Sequence, residues 1–256
     1  MREFGKKKRE MSGNSSNEEK DTALVLAAYN GDSRKVAELL SQGGRVDASR
    51  MGFTPLLAAA AFGHTEVCEL LLEKGKANIE ETTPVGDTAL KLAASKGDAS
   101  TVALLLSKGA RVDIKDKDGF TPLLVVAEKG HTEVCELLLA NGSDLEERIH
   151  PTQFSALHKA AINNHESLLQ LLLSHGADVN SRSRTDATPL HVASQEGHLA
   201  SVVLLLQAGA DPLLPRRRGA LPITVAAQHN QSEVVKILIE QGGCSPDQVR
   251  HISSSS

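Results

Sequence analysis

Tryptophan is absent from this chain of 256 residues, and tyrosine occurs once, at Tyr29. Five phenylalanines bring the aromatic share to 2%, against 40% hydrophobic residues in all, so Leu, Val and Ala must fill the core, as they do in thin helical layers. Cysteine is scarce too: Cys68, Cys135 and Cys244 make no disulfide framework, and three unpaired thiols suit a reducing compartment. Neither sign of charge dominates. With 28 basic and 32 acidic residues the formal charge is -4, which argues against bulk attraction to nucleic acid or to an anionic membrane. No apolar run approaches the roughly 18 residues of a membrane helix, and the N-terminus has no signal-peptide core. A soluble protein of the cytoplasm is expected, reaching the nucleus if the basic run Lys6–Arg9 acts as an import signal rather than as a solvated tail.

Catalytic patterns are missing as well. There is no glycine-rich phosphate loop, no G-x-S-x-G, no H-E-x-x-H and no paired zinc-type cysteines. The triplets His64-Thr65-Glu66 and His131-Thr132-Glu133 imitate the H-x-E of zinc deaminases, but the P-C-x-x-C that would complete the metal site is absent. Asp113, Asp116 and Asp118 stand together in a connecting segment and are expected to be solvated. No enzyme activity, metal or cofactor is expected.

What the chain does have is a repeat. GFTPLLVVAEKGHTEVCELLLANG at 119–142 largely reproduces GFTPLLAAAAFGHTEVCELLLEKG at 52–75. Within the unit, Thr121 caps a short helix with Pro122 at its first position, where the missing N–H would be unpaired anyway. Gly130 ends that helix, and residues 131–140 follow as a second, amphipathic one. The cap position recurs at Thr22, Thr54, Thr88, Thr121, Ser155, Thr188 and Leu221, in steps of 32 to 34 residues. Two residues after each cap stands Leu or Ile, and five after it Ala or Val. Nine after it stands Gly or Asn, the two residue types most tolerant of a left-handed backbone, so all seven units specify the same turn.

A period of 33 residues with a T-P-L-H-x-A pattern is the signature of the ankyrin repeat, and residues 21 to 244 resemble that family throughout. ATPLHVAS at 187–194 and HGADVNSR at 175–182 lie nearest the family pattern. The resemblance implies an all-α solenoid of seven helix-turn-helix units joined by β-hairpin-like fingers, used for interaction and not for catalysis. Repeats are expected to start near residues 21, 53, 87, 120, 154, 187 and 220. Residues 1–20 are expected to be a disordered basic and polar tail, and 244–256 a second tail. One extra residue falls between repeats 2 and 3 and another between repeats 4 and 5. In the latter segment Gln153 replaces the usual Gly, so a less regular finger is expected.

In such arrays the framework leaves free a few finger residues before the cap and the residues seven and eight after it, which together line one face. Five of the six aromatic residues fall there: Phe53, Phe120 and Phe154 one before their caps, Tyr29 seven after and Phe62 eight after. Ile162 holds the seventh position in repeat 5. Aromatic residues are common anchors of protein interfaces, so a monomeric scaffold binding a protein partner along an apolar strip is the expected function. The alternative is that a Phe before the cap packs sideways between fingers. Toward the C-terminus Arg182, Arg184, Arg216, Arg217 and Arg218 make the fingers basic, which leaves open a nucleic-acid or phosphorylated ligand. Another open reading is the substrate-recruiting subunit of a ubiquitin-ligase-type complex, for which the residues after Gly243 leave little room. Finally, the spacing from Leu172 to Asn180 resembles that used by an asparaginyl hydroxylase in ankyrin repeats, which marks Asn180 for modification.

Overall fold

The computed structural model describes residues 18–248. Among these, secondary structure is helical, and the helices come in pairs. The chain divides into two compact units, Met1–Lys117 and Asp118–Ser256. In the first, α1 (18–30) pairs with α2 (Ser33–Ser41), α3 (Pro55–Phe62) with α4 (Thr65–Glu73), and α5 (Ala89–Lys96) with α6 (Ala99–Ser107). In the second, the pairs are α7 (Pro122–Lys129) with α8 (Thr132–Ala140), α9 (Ala156–Ile162) with α10 (Glu166–Ser174), α11 (Pro189–Glu196) with α12 (Leu199–Gln207), and α13 (Pro222–Gln228) with α14 (Ser232–Glu240).

Within each unit first helices stack on first helices and second on second: α3 on α5 and α2 on α4 on α6 in the first unit; α7 on α9 on α11 on α13 and α8 on α10 on α12 on α14 in the second. The residues that recur in the sequence make those layers. Leu56, Ala59, Leu90 and Ala93 are buried in the first unit, as are Leu123, Val126, Leu157, Ala160, Leu190 and Ala193 in the second. Each enclosed Leu contributes about 2 kcal/mol, and the small side chain at every fifth position lets neighbouring first helices approach closely.

The turns follow the sequence pattern. Gly31, Gly63, Gly97, Gly130, Asn164, Gly197 and Asn230 all have positive φ. At Gly130 the requirement is double: φ is 84°, and a Cβ there would meet Nδ1 of His165 from the next repeat at 2.6 Å. That imidazole donates through Nε2 to the Glu128 carbonyl, 3.0 Å away. His64 reaches the Tyr29 carbonyl and His198 the Ile162 carbonyl in the same way, at 3.0 and 2.8 Å. His64 of the first metal-like triplet is therefore a rung between successive repeats, as are His165 and His198.

Two expectations need correction. The first helix is already formed at residue 18, not at 21. Beyond Gly243 the chain still packs: Cys244 is buried, its N–H donates to the Leu238 carbonyl at 3.1 Å, and 246–248 form a short 3-10 turn. The finger holding Gln153 is less regular, as expected: Gln153 takes a left-handed φ of 60°, but the Ile149–Phe154 bridge encloses four residues where Arg50–Phe53 encloses two, and the Ile149 carbonyl accepts the Gln153 N–H at 2.7 Å instead of that of its bridge partner. The basic run Lys6–Arg9 and Phe4 lie outside the described residues, as does 249–256.

Candidate protein-binding surface

The position three after each cap shows how the framework spends its polar residues. In repeats 5 and 6 it is the His of the T-P-L-H pattern. The Ser155 N–H donates to His158 Nδ1 at 3.3 Å, which leaves Nε2 as the protonated nitrogen, donating to the Ala187 carbonyl of the next finger at 2.9 Å. His191 repeats this between the Thr188 N–H and the Ala220 carbonyl, at 3.2 and 3.1 Å. Burial disfavours the imidazolium and lowers both groups to a pKa of about 4.

Repeat 3 has Lys91 at this position, a residue to which sequence reasoning attached no role. It is 5% exposed, and its ammonium pairs with Asp87 at 2.5 Å and with Asp116 of the following finger. Asp116 is therefore not a solvated carboxylate, contrary to expectation: its side chain is 12% exposed and holds the next finger to α5. Asp113 is solvated, in an exposed pair with Arg111. The available signal was a lysine where the pattern wants a buried side chain, with an aspartate four residues before it.

The aromatic residues divide between the two units. In the first, Tyr29 and Phe62 are 48% and 40% exposed, with ring centroids 4.4 Å apart and planes inclined by 59°. His64 stacks behind Phe62 at 6.4 Å, and Lys96 lies 5.9 Å from the same ring while its ammonium donates to the Phe62 carbonyl. With half-buried Phe53, these rings border an open groove of about 450 Å³ whose other walls include Leu26 and Met51. Met51, 92% exposed on the fingertip with φ 53°, was missed in the sequence because only aromatics were weighed there. Isolated exposed apolar residues are ordinary; a contiguous cluster of two rings, a leucine and a methionine is not.

In the second unit the rings are more engaged. Phe120 is half-buried with the Lys159 ammonium 5.0 Å from its centroid, and Lys159 is held in place by Glu128 at 2.8 Å. Phe154 is half-buried and stacked on His158 at 5.2 Å, 14° from parallel. Ile162 is half-buried, with its carbonyl taken by His198. Arg184, Arg217 and Arg218 are exposed on the fingers. Asn180 is half-buried, and its Oδ1 accepts the Asp211 N–H at 2.9 Å; Glu80 and Glu146 offer carboxylate oxygens to Arg111 and Asp178 in the same way.

Comparison with known proteins agrees with the repeat reading. The family model "Ankyrin repeats (3 copies)" matches residues 7–83, 75–149 and 146–216, and the model "Ankyrin repeat" matches 218–251. "Ankyrin repeat and KH domain-containing protein mask-1" of Caenorhabditis elegans is 34% identical over 127 residues, which is 49% of this chain but 5% of that protein. The mask protein of Drosophila melanogaster is 42% identical over 106 residues, 41% of this chain and 3% of that protein. The chain thus spans a small fraction of the curated relatives it matches. Among solved structures, the human ASB11 ankyrin repeat domain superposes with a TM-score of 0.75 at 27% identity, covering 83% of this chain and 96% of that one.

Proposed function

The chain belongs to the ankyrin repeat family, and on that premise we propose that it is a non-catalytic adaptor that binds a protein partner on the finger and first-helix surface of repeats 1 and 2. The observation that carries this is the exposed Tyr29–Phe62 pair beside Met51, at the rim of an open groove of about 450 Å³. Aromatic rings lose little entropy on contact and bury large apolar area, while the thioether of Met51 adapts to the shape of what it meets. Among the described residues no helix is long and apolar enough to cross a membrane. Cys68 and Cys135 are buried thiols pushed up to about 12 by desolvation, so they are inert, and a cytoplasmic setting suits them.

The test is a paired one. Tyr29→Ala with Phe62→Ala is expected to leave thermal melting nearly unchanged, because no enclosed layer is lost. In affinity purification followed by mass spectrometry the double variant should lose a partner that the wild type retains. With that partner purified, each truncation should weaken binding by about 2 kcal/mol, roughly thirtyfold. A variant that binds as wild type but melts far lower would mean that the rings serve packing and that the surface is misplaced. Hydroxylation of Asn180 is proposed as well, from its spacing to Leu172. Peptide mapping of protein from animal cells checks it, and an unmodified Asn180 removes it.

A further inference from the structure

The fingers of the second unit carry arginines in register. Arg184 and Arg217 stand 33 residues apart on successive fingers. The backbone N–H of each donates to the finger before it, Arg184 to the Thr152 carbonyl at 2.8 Å and Arg217 to the Thr185 carbonyl at 3.0 Å. One kind of rung therefore sets both positions, and the two side chains start from points separated by the spacing of neighbouring helices, about 8–10 Å. Arg148 and Arg182 form a second register pair: Arg148 Nη1 donates to the Arg182 carbonyl at 2.5 Å, and Arg182 Nη1 to the Pro215 carbonyl at 3.4 Å.

Carboxylates compensate this charge poorly. Arg217 reaches Asp186 only at 3.7 Å, and Arg148 reaches Glu146 at 3.7 Å. Exposed pairs of that length contribute little and are readily replaced. Among the described residues no ion pair holds Arg184, Arg216 or Arg218. The positive field reaches inward, where Arg148 adds to the depression of His158 and Arg216 and Arg182 add to that of His191. Beside Arg184 lies an open recess of about 250 Å³, walled by Pro151, Thr152, Phe154 and Thr185.

We propose that these fingers bind an acidic, proline-containing peptide in the polyproline II conformation, with carboxylates three residues apart paired to Arg184 and Arg217. A polyproline II chain turns once in three residues and rises about 3.1 Å per residue, so every third side chain returns to the same face after about 9 Å, the spacing of the fingers. A β-strand would turn its residue i+3 to the opposite face. The guanidinium fork receives a carboxylate with two parallel hydrogen bonds, and the recess beside Phe154 accepts an intervening proline ring, as aromatic-lined grooves do. Nucleic acid fits less well: the chain carries a charge of -4, and one face of Phe154 is already covered by His158. This surface lies in a different unit from the aromatic groove of repeats 1 and 2, so neither reading depends on the other.

Fluorescence anisotropy with the full chain tests it. The probes are a labelled peptide of three Glu-Pro-Pro triplets, a peptide of the same composition with its three Glu contiguous, and a single-stranded oligonucleotide. The spaced peptide is expected to bind at least tenfold more tightly than the bunched one. Arg184→Glu and Arg217→Glu should each weaken it tenfold or more, Arg184→Lys should fall between wild type and Arg184→Glu, and Phe62→Ala should change nothing. Circular dichroism should show all variants folded, since the arginine side chains are exposed. Absence of binding, equal binding of the two peptides, indifference to the charge reversals, or tighter binding of the oligonucleotide at the same ionic strength would each overturn the proposal.

Discussion

Lys91→Met is expected to destabilise the protein by about 3–5 kcal/mol, the range for removing one partner of a buried ion pair. The methionine fills most of the volume, so the loss is electrostatic rather than a cavity. Asp87 and Asp116, with side chains 21% and 12% exposed, would be left facing each other across the space the ammonium occupied. Partial desolvation makes each of those charges costly alone, and their mutual repulsion adds to it. Urea unfolding at neutral pH measures the effect. Adding Asp87→Asn and Asp116→Asn to the variant should recover most of the loss, because the unpaired charge disappears. A Lys91→Met protein within about 1 kcal/mol of wild type would show that the three charges are better hydrated than their burial implies.

Acidification from pH 7 to pH 5 is expected to remove about 4 kcal/mol through His158 and His191 together, about 2 kcal/mol from each. Both imidazoles titrate near 4 in the folded chain against about 6.5 when exposed. The unfolded chain therefore binds the protons first as pH falls. The contribution is complete above about 6.5, declines between 6.5 and 4, and changes no further below 4, where both states are protonated. The main cause is burial, which disfavours the imidazolium, and with Nδ1 accepting a backbone N–H and Nε2 already donating to a carbonyl of the next finger, no ring nitrogen is free to take the proton. A His158→Gln, His191→Gln double variant should lose most of the stability difference between pH 7 and pH 5, whatever its stability at pH 7. If denaturant curves of the variant kept the same difference, other groups would carry the acid response.

The repeat was legible because each layer is specified locally. A cap, a proline at the first helical position, a leucine two residues on, an alanine five on and a Gly or Asn nine on each constrain the backbone within one unit, and no distant residue is needed to read them. Even so, the sequence showed only half the reason for Gly130. The left-handed turn was readable, but the approach of the next repeat's imidazole to 2.6 Å of the missing Cβ was not. Gln153 illustrates the converse. Its side chain argued against the turn that glycine makes elsewhere, yet the hydrogen-bonded finger holds it at φ 60°.

The candidate site was legible as a set of positions and not as a set of environments. Counting from the caps placed Tyr29, Phe53, Phe62, Phe120, Phe154 and Ile162 alike. Their exposure depends on what stands beside each: Lys159 of the next repeat over Phe120, His158 of the same repeat against Phe154, and Tyr29, Lys96 and His64 around Phe62. The same holds for charge. Asp113 and Asp116 are three residues apart in one finger, one in an exposed pair and the other against a buried lysine from the repeat before.

The sequence by itself determined the all-α repeat fold, its seven cap positions, the left-handed turns and the place of the basic fingers, because all of these are encoded within a period of about 33 residues and repeated. Only the tertiary structure decided which aromatics stay exposed, that Lys91 and Asp116 join repeat 3 to the finger that follows it, that Asn180 supports the loop of the next repeat, and that Arg184 and Arg217 leave equivalent rungs. The last three are contacts between neighbouring repeats. Their members lie 25 to 32 residues apart, and no pattern within one repeat states which groups meet across that interval.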